Sequence, residues 1–197
     1  MPIHMTRTQY HPISILFHWL VVLLLIAAFV TIELKGQFPK GSEARDLTKT
    51  IHGFIGQIIF IVMAMRLFAR LWFGVPEPKN PSQTLAMLSK VIQWLFYALI
   101  LIAPIFGILY FQYAGKEIIF FGFTWPQFVT PDPVMKKSVE NIHEFLGNSL
   151  YVLIGIHALA ALWHHYFLKN DVLTRILPKI KRISNKTIRN LGNETTI

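Results

Sequence analysis

Four histidines lie in strongly apolar stretches of this 197-residue sequence, and they are the residues best suited to chemistry. His18 lies in "SILFHWLVV", His52 in "KTIHGFIG", and both His143 and His157 in "NIHEFLGNSLYVLIGIHAL". An ionisable side chain inside a membrane segment is costly and usually marks a functional site. The sequence has no cysteine, which excludes thiolate metal sites and iron–sulfur clusters. We therefore expect nitrogen or oxygen ligands to hold any metal or cofactor.

The apolar stretches around these histidines are long enough to cross a membrane. Hydrophobic residues make up 53% of the chain and charged residues 15%, and a helix needs about 20 apolar residues to cross the hydrocarbon core. Four windows reach that length: 13–34, 51–73, 89–113 and 145–168. The sequence thus predicts an all-α membrane protein, with a bundle of four transmembrane helices over residues 1–180 and a basic tail over 181–197. A secretory signal is the alternative for the first window, but no convincing small-x-small cleavage site follows it.

The distribution of lysine and arginine predicts how these spans are oriented. Twelve of the 19 basic residues fall at the N-terminus, towards and within the linker between the second and third spans, or after the fourth span: Arg7, Arg66, Arg70, Lys79, Lys90, Lys169, Arg175, Lys179, Lys181, Arg182, Lys186 and Arg189. Seven fall on the opposite side: Lys35, Lys40, Arg45, Lys49, Lys116, Lys136 and Lys137. Because cytoplasmic loops carry the excess of basic residues, we expect both termini in the cytoplasm. The expected partner of the tail is anionic membrane lipid and not nucleic acid, while the oligomeric state is left open.

This orientation sorts the histidines into two pairs. His143 and His157 are 14 residues apart, which places them on one helix face but about 21 Å apart along the axis. No single metal ion can be bound by both, so each needs a partner from another span. His52 begins the second span on the outer side, where the fourth span also begins with His143. His18 and His157 lie nearer the cytoplasmic side and form the second predicted pair.

A pair of histidines from two facing helices suits the two axial positions of a b-type haem. Cofactor sites in helix bundles are built from such facing side chains, whereas zinc or non-haem iron needs three or four protein ligands. The one nearby carboxylate, Glu144, points about 100° away from His143 around the helix. We therefore predict two haems, one above the other. The alternative is a transporter whose histidines are packed or relay protons, but that reading predicts intramembrane acids, and the spans carry almost none.

The spacing leaves one ligand ambiguous. His164 follows His157 by seven residues on nearly the same face, and its depth is closer to that of His18, so spacing alone does not exclude it. His165 points elsewhere and is expected at the interface.

Other residues are candidates to support the haems. Arg66 and Arg70 are four residues apart on the second span, so both could reach an inner haem propionate, although snorkelling to the interface explains them equally well. The seven outer cations could serve outer propionates or attract an anion, or form an ordinary loop surface. Gly53 and Gly147 could let a macrocycle approach closely. The aromatic segment "KEIIFFGFTWPQF" is expected along the outer interface.

Three stretches resemble one family: "ISILFHWLVVLLLIAAF", "TIHGFIGQIIFIVMAMRLFARL" and above all "HEFLGNSLYVLIGIHALAALWHHYFLKNDVLTRILP". They are similar to the bacterial cytochrome b561 family. This resemblance implies that His18, His52, His143 and His157 are the axial ligands of two haem b groups, with His164 not ligating.

The resemblance also implies an activity and a location. The expected protein lies in the bacterial inner membrane and is a superoxide:ubiquinone oxidoreductase, which oxidises superoxide to dioxygen on the periplasmic side and reduces ubiquinone to ubiquinol. The alternative is a diheme electron-transfer subunit that connects a hydrogenase or dehydrogenase partner to quinone. That alternative predicts a docking element, and none is obvious in the loops.

Overall fold

Four long helices dominate the computed structural model, which describes residues 9–76 and 83–178. In chain order they are α1 (Pro12–Gln37), α2 (Glu43–Phe73), α3 (Gln83–Tyr113) and α4 (Pro133–Tyr166). All four are long and apolar enough to cross a membrane, which confirms the prediction of a four-helix membrane protein. The predicted tail at 181–197 lies outside the described residues, and the domain limits stay a prediction.

Helices α2 and α4 begin eight and twelve residues before their apolar windows, at capping residues that hydropathy does not reveal. Ser42 caps α2 by accepting a hydrogen bond from the Arg45 backbone N–H. Asp132 caps α4, and its Oδ1 accepts from the N–H groups of Val134 and Met135 at 2.7 and 3.0 Å. With 34 residues, α4 is about 51 Å long. It therefore extends well beyond a hydrocarbon core of about 30 Å.

The bundle consists of two helical hairpins. A five-residue connection, 38–42, joins α1 to α2, and the Arg45 guanidinium fixes that turn by donating to the carbonyls of Lys35 and Phe38, both at 2.9 Å. The second hairpin is α3 with α4, and α2 packs against α3 to join the two. Among the described helices, the backbone of α4 comes close to α3 alone and stays further from α1 and α2. A gap therefore lies between α4 and the first hairpin.

All four helices contribute to the apolar core. Val21 from α1, Met63 from α2, Ile100 from α3 and Leu150 from α4 are members of one buried cluster. Met63 is 1% exposed and is among the most buried large side chains of the described chain. The core lies near mid-depth, between the levels of the two histidine pairs.

The connection between α3 and α4, residues 114–132, forms a structured cap over one end of the bundle. Its aromatic segment contains two short antiparallel strands, β1 (Ile119–Phe120) and β2 (Phe123–Thr124). The sequence predicts this segment along the interface but does not predict the strands, because two-residue strands lack a readable alternation. Gly122 takes a φ of 84° in the tight turn, where glycine is favoured.

A buried glutamine holds this cap in place. Gln112, only 2% exposed, donates from Nε2 to the Pro126 carbonyl at 3.0 Å and accepts at Oε1 from the Phe128 N–H at 2.8 Å. Its backbone carbonyl also accepts from Gln127 Nε2. The cap is therefore bonded to α3 through polar groups that have little access to solvent.

We expect Gln112→Ala to destabilise the protein by about 1–3 kcal/mol, because it removes two hydrogen bonds between a buried side chain and the cap. Thermal unfolding of the detergent-solubilised protein would measure the loss, with Gln83→Ala, an exposed glutamine on the same helix, as the control. Equal melting temperatures for the two variants would contradict this role.

Candidate functional site

His52 and His143 face each other across the gap between α2 and α4. Their ring centroids are 6.0 Å apart, and the ring planes are nearly perpendicular, at 88°. A nitrogen ligand lies about 2 Å from a first-row metal ion, so two imidazoles on opposite sides of one ion have centroids about 6 Å apart. The observed separation therefore suits two axial ligands that share one iron.

Backbone carbonyls fix the tautomer of both rings. His52 Nδ1 lies 2.9 Å from the Ala28 carbonyl oxygen, and His143 Nδ1 lies 2.9 Å from that of Ala103. Since a carbonyl only accepts, Nδ1 must carry the proton and donate it, which leaves the Nε2 lone pair free for a metal. Thr31 Oγ1 lies 3.3 Å from His52 Nδ1 as a further polar neighbour.

The two rings line a cavity of about 500 Å³ between the four helices. This volume is in the range of cofactor pockets. Its apolar wall includes Ala28, Ile59 and Leu150, and Ile118 closes it from the cap. A flat, largely apolar macrocycle with two axial ligands fits this donor set and this shape.

The glycines near the cavity have different roles. A Cβ added at Gly56 or Gly147 would meet nothing within 4 Å, so both leave open space along the cavity wall. A Cβ at Gly53 would lie 3.0 Å from the Phe111 ring. Gly53, which the sequence analysis grouped with Gly147, therefore permits the close packing of Phe111 against α2.

The second predicted pair is arranged around an arginine. Arg66 Nη2 lies 3.4 Å from His18 Nδ1, and Arg66 Nη1 donates to the Tyr97 hydroxyl at 2.9 Å. The His157 ring meets the Phe96 ring edge-on, with centroids 5.2 Å apart. Because a guanidinium has no acceptor, His18 Nδ1 can only accept here. In this tautomer the proton is on Nε2 of His18, so His18 is not arranged to bind a metal through Nε2, whereas His52 and His143 are.

His164 takes part in a different interaction, at the end of α4. Its Nδ1 lies 2.6 Å from Asn170 Nδ2, and its backbone carbonyl accepts from the Asn170 N–H at 3.0 Å. These contacts tie His164 to the turn that follows the helix. They favour a structural role for His164 and leave His157 as the better candidate ligand.

Arg70 lies beside Arg66 at the same end of the bundle. Its guanidinium lies over the rings of Trp94 and Tyr97, with centroid distances of 6.0 and 5.7 Å. No carboxylate in the described ranges forms an ion pair with Arg66 or Arg70. Within that part of the chain, both cations are therefore available to an anion.

The outer cations divide into structural and cavity-lining groups. Arg45 holds the α1–α2 turn, Lys49 and Lys116 pair with Asp46 at 2.8 and 3.5 Å, and Lys137 pairs with Glu140. Only two of the seven, Lys35 and Lys49, line the cavity. Four glutamates, Glu33, Glu117, Glu140 and Glu144, line the same cavity, so its charged lining is not positive overall.

Two features of the site were missed from the sequence. Gln57, 6% exposed, lines the cavity and accepts a hydrogen bond from Trp125 Nε1 at 2.9 Å, which joins the cap to α2. In the sequence, the one indication of this role is that Gln57 is a polar residue within an apolar span. The carbonyls of Ala28 and Ala103 had no such signal, because every residue carries a carbonyl and only packing selects one.

The donor set argues against a metal site built by the protein alone. Within residues 9–76 and 83–178, no group of three or more His, Cys, Asp or Glu side chains could hold a metal ion. A two-histidine site is consistent with a cofactor that supplies the other ligands itself, as a porphyrin does.

Comparison with known proteins agrees with a two-histidine cofactor site. The sequence model of prokaryotic cytochrome b561 matches residues 9–179. The chain belongs to this family. It is 34% identical over 169 residues to cytochrome b561 homolog 1 of Escherichia coli (strain K12), covering 85% of this chain and 96% of the relative. It is 36% identical over 173 residues to the protein named "Probable superoxide oxidase CybB" of Yersinia pestis, covering 87% and 97%.

A more distant relative is cytochrome b562 of Cereibacter sphaeroides, 24% identical over 173 residues, covering 85% and 94%. Membership of the cytochrome b561 family confirms the resemblance seen in the sequence. It also identifies the chain as a membrane electron-transfer protein that uses b-type haem. Together with the four helices, it supports a place in the bacterial inner membrane.

We expect Gly147→Leu to insert and fold but to bind less haem b, because the new side chain would fill the cavity without meeting protein atoms near its Cβ. Haem per protein would be measured from the pyridine haemochrome spectrum. Gly36→Leu is the matched control, since a Cβ there also meets nothing within 4 Å and Gly36 does not line the cavity. Full haem content in Gly147→Leu would rule out this cavity as the haem site.

Proposed function

We propose that this protein is a diheme cytochrome b that carries electrons across the inner membrane. The observation that carries the proposal is the His52–His143 pair, with facing rings 6.0 Å apart in a cavity of about 500 Å³. These histidines are the proposed axial ligands of the outer haem, and His18 with His157 those of the inner one. The haems supply one-electron transfer, and the protein holds them in place.

The chain's own groups would set the properties of each site. The carbonyls of Ala28 and Ala103 keep His52 and His143 in the ligating tautomer and increase their basicity. Arg66 and Arg70 are the proposed cations for the inner propionates. Arg66 can serve a propionate only if it no longer donates to His18 Nδ1. Nδ1 must then carry the ring proton, so that Nε2 of His18 is free to bind the iron.

Superoxide is the proposed donor and ubiquinone the proposed acceptor. Two superoxide anions would each lose one electron and leave as dioxygen, while one ubiquinone takes up both electrons and two protons to become ubiquinol. The name of the Yersinia pestis relative supports superoxide. The cavity lining carries Lys35 and Lys49 but also four glutamates, Glu33, Glu117, Glu140 and Glu144, so the proposal of an anionic donor rests on that name and not on the charge of the cavity.

The proposed orientation has both termini in the cytoplasm and the cap on the periplasmic side. It is supported by the twelve-to-seven division of basic residues under the positive-inside rule. The outer cavity then opens on the periplasmic half, where superoxide would be oxidised. Anionic lipid remains the proposed partner of the basic tail.

Histidine substitutions test the ligand pairs. We expect His52→Ala and His143→Ala to remove the same haem, and His18→Ala and His157→Ala to remove the other, each lowering haem b per protein by about half because loss of one axial ligand weakens the site. Low-temperature spectra with redox titration would identify the lost haem. His164→Ala and His165→Ala are the controls. Haem loss in His164→Ala with retention in His157→Ala would overturn the inner assignment.

Sided delivery of superoxide tests the donor and the orientation together. In right-side-out vesicles, a pulse of superoxide outside should reduce the haems rapidly, and added ubiquinone should reoxidise them. Inverted vesicles should respond weakly, because the superoxide anion crosses lipid poorly. If dithionite reduces the haems and superoxide does not, the protein is still a cytochrome b, and a partner protein becomes the expected electron donor. A stronger response in inverted vesicles would reverse the proposed orientation.

A further inference from the structure

Ser14 is a buried polar residue without a partner at the end of the bundle that holds His18. It is 8% exposed, and its Oγ makes no hydrogen bond within the described part of the chain. An unpaired buried hydroxyl costs about 1–3 kcal/mol. Such a group in a native structure calls for a partner beyond the described residues.

The space next to Ser14 is a small pocket with a strongly polar wall. Its volume is about 10 Å³, and the side chains that line it include Ser14, Arg66, Arg70, Tyr10 and Tyr97. A volume near 10–15 Å³ holds roughly one water-sized group. The pocket thus accommodates one oxygen atom, surrounded by hydroxyl and guanidinium donors.

Charge favours an anionic oxygen over water in this pocket. Arg66 and Arg70 are both half-buried and lie four residues apart on α2, a spacing at which like charges on a helix repel. Both guanidiniums also lie within 6 Å of one ring, that of Tyr97, at 5.2 and 5.7 Å. Neither has a carboxylate partner among the described residues. An anion between them would offset the repulsion, whereas water would leave both charges uncompensated.

We infer that Ser14, Arg66, Arg70 and Tyr97 form an oxyanion-binding pocket beside the inner site, where α1 begins and α2 ends. The ligand is a carboxylate or phosphate that places one oxygen against Ser14 Oγ. Arg66 links this pocket to His18, since its Nη2 lies 3.4 Å from His18 Nδ1. A propionate of the inner haem is therefore one source of the oxyanion, and this source rests on the proposed function. Gly74 and Val75, just past the end of α2, also line the pocket, which makes a phospholipid headgroup the other source.

The test compares Ser14→Ala and Arg70→Gln with Arg70→Lys, which retains the charge, and with Lys90→Gln, which removes an exposed cation from α3. One measurement is the rate of haem loss from the solubilised holoprotein to excess apomyoglobin, followed together with the potential of each haem. The other is native mass spectrometry of phospholipid retained by the protein. Ser14→Ala keeps the net charge, so its effect measures the loss of the hydrogen bond from the Ser14 hydroxyl and not a change in the electrostatic potential of the pocket.

If a propionate occupies the pocket, Ser14→Ala and Arg70→Gln should lose the inner haem roughly tenfold faster, as expected for a lost hydrogen bond to a charged group. Arg70→Gln should also make the inner potential more negative while the outer one is unchanged, and Arg70→Lys should recover part of both effects. If a lipid phosphate occupies it, haem loss should not change, and retained phospholipid should fall in the same two variants.

Unchanged haem loss, potentials and lipid retention in both Ser14→Ala and Arg70→Gln would overturn the pocket, as would equal effects in Lys90→Gln. The lipid measurement does not depend on haem. A wild-type protein without haem would therefore contradict the proposed function and still leave the lipid arm to decide on the oxyanion pocket.

Discussion

The hydrogen bonds from His52 and His143 to backbone carbonyls are the interactions on which the outer site depends. Each one crosses a helical hairpin: His52 on α2 bonds to Ala28 on α1, and His143 on α4 bonds to Ala103 on α3. Each bond ties a hairpin together and sets the tautomer of its ring. In a medium without water, an imidazole N–H must find such a partner within the protein. Helix packing and ligand geometry are thus determined by the same two contacts.

Side chains and the cap bound the space between the two hairpins. The rings project from α2 and α4 into the space between them, and the backbone of α4 stays away from α1 and α2. Side chains alone bridge α1 and α4, as where Tyr151 stacks on Phe29 at 3.9 Å and donates to Glu33 at 3.1 Å. The cap over residues 114–132, bonded to Gln57 and Gln112, closes the space at one end. The outcome is a partly open cavity of about 500 Å³, which suits a large apolar cofactor.

The two histidine pairs differ in how their second ring nitrogens are used. The outer pair donates to carbonyls, whereas His18 at the inner pair is next to Arg66, which also donates to Tyr97. Because hydrogen bonding and nearby charge set haem potentials, two sites with the same ligand types in one bundle can differ in potential. Such a difference would favour electron flow in one direction. Arg66 and Arg70 at the inner end have aromatic neighbours, and no carboxylate in residues 9–76 and 83–178 forms an ion pair with either of them.

The sequence alone was sufficient for the number and type of the main elements. Apolar windows of about 20 residues identify membrane helices because the bilayer core imposes that length, and all four were found. The spacing of His143 and His157 required two separate partners, since helical rise is constant. Motif similarity was sufficient for the family, which the matches to relatives confirm.

Tertiary structure decided what depends on distances between helices. Sequence hydropathy cannot tell that Lys35 and Lys49 line the cavity while Arg45 fixes a turn, because that depends on which helix face each residue occupies. Nor does it distinguish Gly53, packed against Phe111, from Gly147, which faces open space. The carbonyl partners of the histidines and the unpaired Ser14 hydroxyl likewise emerge only when the helices are in place, because packing alone selects one backbone group or buried side chain from many equivalent ones.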